Sequence, residues 1–143
     1  MSAEENKATV MRFDEEVWNR RNPAAIDALV TSDYVLYAPG SPPLDREGHK
    51  QFTAAMLAAF SDARSTTHDL VAEGDKVAWR WSFRGMHTGA FMGIPPTGKE
   101  VTLTGISVLR LEGGKIAEQR AEADMLGLMQ QLGAVPAPQG ATA

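Results

Sequence analysis

The chain has 143 residues, 43% of them hydrophobic and 22% charged, with a formal net charge of -4; that length supports one domain with a substantial core and is short for two. Its Lys and Arg are interspersed with acids, so nucleic acid is not an expected partner, because phosphate binding needs clustered cations. The absence of cysteine removes disulfides, thiolate metal sites and thiol nucleophiles, and without a basic-then-apolar leader or a span-length apolar run the expectation is no membrane and a cytoplasmic location.

Ser2 and Glu5 have capping-box spacing, and Val10, Phe13, Val17 and Trp18 recur at helical spacing, which predicts a first helix ending near Arg21. Asn22-Pro23 restarts a shorter helix, with Asn22 as cap and Pro23 at its first position, turning Ile26, Leu29 and Val30 inward. A brief strand over 33–38 carries Tyr34 and Tyr37 and closes at Pro39-Gly40-Ser41-Pro42-Pro43. A third helix is predicted over 46–60, with Phe52, Met56, Leu57 and Phe60 on its apolar face.

From there the pattern turns to β, with strands over 65–72, 76–87, 99–111 and 115–123. Glu73-Gly74-Asp75 and Glu112-Gly113-Gly114 read as tight hairpins, so these strands pair antiparallel. A short apolar helix follows Asp124, and the Ala-, Pro- and Gly-rich residues 134–143 read as a disordered tail after a single domain over 1–133. Helices followed by a twisted sheet define an α+β architecture, in which helices laid across a curved sheet leave room for a small-molecule cavity.

Asp124 stands where the last strand meets the last helix, as a helix cap, as a base at a pocket edge, or as both. Glu118, Arg120, Glu122 and Asp124 share one parity and hence one strand face. Arg120 on that face would pair with a carboxylate or bind an anionic group. In the third β segment Val77, Trp79, Trp81 and Phe83 alternate with Arg80, Ser82 and Arg84, giving an aromatic face suited to a core, a subunit contact or a flat ligand. His49 and His68 read as packing or surface residues, whereas His87 heads the Gly/Pro loop over 88–98, of the kind that covers pockets. No histidine pair has carboxylate spacing for a metal, so none is expected.

Trp18-Asn19, Asp33-Tyr34, His87-Thr88-Gly89 with Gly93-Ile94-Pro95-Pro96-Thr97-Gly98-Lys99, the segment from Ile106 to Glu118 with Gly113-Gly114-Lys115-Ile116, and the close from Asp124 to Gly133 together resemble the SnoaL-like polyketide cyclase family. That family lies within the nuclear-transport-factor-2-like superfamily. The resemblance implies a cone-shaped α+β barrel, a curved mixed, largely antiparallel sheet with three N-terminal helices enclosing a pocket. It implies a cofactor-independent enzyme in which Asp124 is the acid/base for intramolecular aldol closure and His87 holds a substrate oxygen. Arg120, Trp79, Trp81, Tyr34, Tyr37, Phe60 and Met92 would bind the ligand, a small hydrophobic or polycyclic carbonyl compound. A homodimer, which can pair further into a tetramer, is also implied. The chain carries Gln119-Arg120 where members commonly show His-Trp, so its pocket is relined. Two other readings share the fold: an isomerase using Tyr34 or Tyr37 as oxyanion donor or an epoxide hydrolase, and a non-catalytic binding or dimerisation domain if Asp124 only caps its helix.

Overall fold

The computed structural model describes residues 2–136. Helix α1 (Ala3–Phe13) begins with the predicted capping box, worth about 1 kcal/mol. It widens into a π-helical turn over Asp14–Asn19. A short 3-10 turn (Pro23–Ala25) then leads into α2 (Ile26–Leu29), and the Asn22 side chain makes no capping hydrogen bond. Strand β1 (Val30–Tyr37) starts three residues earlier than its sequence pattern suggests. Helix α3 (Arg46–Ala59) is capped by Asp45, whose carboxylate accepts from Gly48 N.

Strands β2 (Arg64–Glu73), β3 (Lys76–Met86), β4 (Glu100–Glu112) and β5 (Lys115–Ala123) follow, and α4 (Met125–Leu132) ends at left-handed Gly133. The sheet order is β1-β5-β4-β3-β2. Its four later strands pair antiparallel, as the two hairpins require, while β1 pairs parallel with β5. The sheet is curved, mixed and unclosed, with β1 and β2 as its edges.

Its concave face packs two apolar clusters. One joins Val10, Phe13, Val17, Ile26 and Leu29 of the N-terminal helices to Tyr34, Trp79, Leu109 and Ile116. The other joins Met56, Leu57 and Phe60 to Phe83, Val101, Leu103, Leu128 and Leu132. Phe52, expected inward, is 41% exposed and stands at the cavity mouth. The convex face carries ion pairs such as Arg80–Asp69 and Arg84–Glu100 beside exposed Val71, Ile106 and Val108. Among the described residues no helix is long and apolar enough to cross a membrane. Of the tail read as disordered, 137–143 lie outside the described residues.

Candidate functional site

Between the helices and the concave face of the sheet lies a cavity of about 630 Å³, within the range of small-molecule sites. Alternation along each strand decides what reaches it. From β3 come Trp79, Trp81 and Phe83, from β4 Leu103, and from β5 Gln119, Ala121 and Ala123. Helix α1 contributes Phe13, helix α3 His49, Phe52 and Met56, and helix α4 Met125 and Met129, while Phe91 and Met92 come from the loop after β3. Among the described residues no Asp, Glu, Lys or Arg lines it.

Both indoles are walls rather than donors, because their N–H groups are already used. Trp79 Nε1 donates to Thr67 Oγ1 at 2.9 Å, and Trp81 Nε1 to the buried Ser107 Oγ at 3.0 Å. The Trp81 ring lies across Gly105 of the neighbouring strand, where any Cβ would collide with the indole.

One cluster of polar side chains meets the cavity at the β1 edge. Parallel pairing of β1 with β5 brings Tyr34 beside Gln119, and α3 lays His49 over them. Gln119 Nε2 donates to the Tyr34 oxygen at 3.0 Å, and that hydroxyl lies 2.9 Å from His49 Nδ1. With one lone pair of the phenol taken by the amide, its O–H is available to donate to Nδ1, and in that arrangement the imidazole proton sits on Nε2. Burial holds the His49 pKa down at about 4, so the ring is neutral near pH 7. Burial likewise pushes the Tyr34 phenol up, more strongly than the Gln119 hydrogen bond draws it down. His49 Nε2 has no partner among the described residues, and the ring lines the cavity. In that arrangement His49 offers an uncharged N–H to a cavity whose other polar lining side chains, among the described residues, are Gln119, Ser41 and Ser65.

Several expected site residues lie elsewhere. Because Gln119, Ala121 and Ala123 face inward, Glu118, Arg120, Glu122 and Asp124 face outward. Asp124 is exposed and caps α4, its Oδ1 accepting from Gly127 N at 2.9 Å. It borders a separate hollow on the convex face, of about 530 Å³, together with His68, Arg80 and Glu122. Arg120 pairs with Glu118 at 3.3 Å and lies 4.1 Å over the Tyr37 ring, which puts both Arg120 and Tyr37 outside the cavity. His87 is fully buried, its Nδ1 accepting from Thr97 N at 3.1 Å to brace the 88–98 loop, and it packs on Phe60. Phe60 is core between Phe83, His87 and Phe91. Asp124 and His87 thus do not converge. Trp79, Trp81 and Met92 do line the cavity, and Tyr34 acts on it through His49 and Gln119.

A curved sheet roofed by helices around a largely apolar cavity is the ketosteroid isomerase-like architecture. The chain belongs to the SnoaL-like polyketide cyclase family, whose profile matches residues 8–132. No curated protein matches it significantly. Among solved structures it is similar to the candidate hydroxylase AclR from Streptomyces galilaeus, with a TM-score of 0.88, 28% identity, and coverage of 99% of this chain and 88% of that one. It is also similar to a candidate polyketide cyclase from Acidithiobacillus ferrooxidans, with a TM-score of 0.81, 32% identity and coverage of 94% and 99%. A protein from Catenulispora acidiphila with a ketosteroid isomerase-like fold shares the architecture at a TM-score of 0.73, 20% identity and coverage of 87% and 92%.

Proposed function

We propose that the protein is a cofactor-independent enzyme of the cyclase kind, which folds an apolar poly-carbonyl chain inside its cavity and promotes intramolecular aldol closure by hydrogen bonding. The observation that carries this reading is the Tyr34–His49–Gln119 trio, an uncharged donor on an apolar wall. A compound with carbonyls on alternate carbons is already partly enolised, so it needs no strong base. Its enol carbon attacks a second carbonyl, one C–C bond forms, and the enol proton ends on the new hydroxyl. His49 Nε2–H is suited to hold the oxygen that gains charge, and a neutral imidazole in a dry site does this without proton release. The walls of Trp79, Trp81 and Phe13 supply the folding of the chain.

The test uses a phenyl-capped linear triketone, which closes to a phenylresorcinol with loss of water and is followed by absorbance. Saturable acceleration over buffer is expected. It should fall at least tenfold in His49→Leu, which removes the N–H at similar volume, and in Tyr34→Phe, which frees the imidazole to change tautomer. No acceleration by the wild-type protein removes the catalytic reading. The lack of an ionised group on the cavity wall among the described residues favours a non-catalytic small-molecule carrier as the second reading, recognised by tight binding of the triketone without turnover.

A further inference from the structure

At the opposite edge of the sheet a second polar group lies just behind the cavity wall. Asp14, at the start of the π-helical turn, is 4% exposed although it carries a carboxylate. Its Oδ2 accepts from Thr67 Oγ1 at 2.9 Å, and that hydroxyl is oriented by the Trp79 indole N–H it accepts. Its Oδ1 is buried without a hydrogen-bond partner among the described residues. Leaving such an oxygen empty is expensive, and in native proteins it calls for an explanation.

Ser65, the second residue of β2 and two positions before Thr67 on the same strand, lines the cavity. Asn19, at the other end of the same π-helical turn, clamps the Ser65 backbone from both sides, donating to its carbonyl at 3.0 Å and accepting from its N–H at 2.8 Å. One turn of helix thus fixes the Ser65 main chain and sets a carboxylate against the same strand, at Thr67. Burial is the largest influence on Asp14 and raises its pKa, with the Ser65 and Thr67 hydroxyls acting to lower it.

We propose that Ser65, backed by Asp14 as its positioning residue, is the second polar contact of the cavity and receives a ligand hydroxyl, so that the preferred ligand carries a hydroxyl at one end and a carbonyl at the other. Turning the Ser65 O–H toward the unpaired Asp14 Oδ1 would leave the Oγ lone pairs facing the cavity. His49 presents a proton. The two stations are therefore complementary to an acceptor and a donor on one molecule, and they stand at opposite edges of the sheet. This assignment rests on the cavity reading above and adds to it the class of ligand.

The test compares two fluorescent probes: acetylnaphthol, with its hydroxyl on the ring remote from the acetyl group, and acetylnaphthalene, which lacks the hydroxyl. The wild-type protein should bind the naphthol about tenfold tighter, the effect of one good hydrogen bond. In Ser65→Ala that ratio should fall to about one with acetylnaphthalene affinity unchanged, Ser65→Thr should restore it, and Asp14→Asn should reduce it at least threefold. A purely structural role would weaken both probes alike and leave the ratio standing. Equal affinities in the wild-type protein, or a ratio that survives Ser65→Ala, overturn the assignment while leaving the cavity reading intact. Failure of both probes to bind overturns both.

Discussion

His49 makes stability depend on pH in a way that can be worked out from its surroundings. Its imidazole is buried and its pKa lies near 4 instead of 6.5. The unfolded chain therefore takes up a proton as pH falls through 6.5, while the folded chain does not until pH nears 4. A group whose charged form is excluded by folding contributes least where the unfolded state binds the extra proton, so acidification destabilises the fold. At about 1.4 kcal/mol per decade, the full gap is worth about 3 kcal/mol, and about 2 kcal/mol of it is lost between pH 7 and pH 5. That is a large part of the 5–15 kcal/mol by which domains are ordinarily stable. Asp14 acts in the opposite sense: its folded pKa is raised, so protonation at low pH relieves its burial. Urea denaturation at the two pH values should show the loss in the wild-type protein and a flatter profile in His49→Gln. Imidazole proton NMR isolates the residue itself. A folded-state His49 resonance that titrates near 6.5 would refute the argument, because the ring would then be wet and its tautomer unfixed.

Other substitutions test the geometry more locally. Gly105→Ala should push the Trp81 indole off its strand and into the cavity, costing about 1–3 kcal/mol of stability, and affinity for acetylnaphthalene should drop; retained affinity would mean that the indole is not the floor of the site. Asp124→Ala should remove the α4 cap and lower stability by about 1 kcal/mol with triketone turnover unchanged, whereas lost turnover in a stable variant would return Asp124 to the chemistry. Ala121→Leu should fill cavity space and raise the melting temperature, by about 1 kcal/mol of buried apolar surface, while probe binding is lost; binding that survives would place the ligand elsewhere.

The elements were largely legible because their signals are local. The β5 segment over 115–123 agrees with the structure at both ends, and both hairpins are set by Gly-containing turns with positive φ at Gly74, Gly113 and Gly114. What alternation cannot say is which face of a strand turns inward. The charged set from Glu118 to Asp124 drew attention as chemistry, yet the opposite set of Gln119, Ala121 and Ala123 is the one an apolar cavity tolerates. Two further signals lay in the sequence. His49 is in register with Thr53, Met56, Leu57 and Phe60, and Asp14 with Val10, Phe13 and Val17, so each is a polar residue on a buried helical stripe. The meeting of Tyr34 with Gln119, 85 residues away, depends on the parallel β1–β5 pairing, which no local pattern announces.

The placement of polarity follows from where helices can reach. Apart from Gln119, the central strands β3, β4 and β5 offer the cavity indoles, a phenyl ring, leucine and alanines, and their backbone groups are consumed in the ladder. At the edges a helix end backs a polar side chain: α3 sets His49 against Tyr34 of β1, and the end of α1 sets Asp14 against Thr67 of β2. A buried polar group is tolerable only with such backing. A flat ligand would therefore lie across the three central strands with its oxygens toward the two edges. Ala121 and Ala123 occupy positions where larger side chains would bury more surface, and keeping them small preserves that span at the expense of core stability.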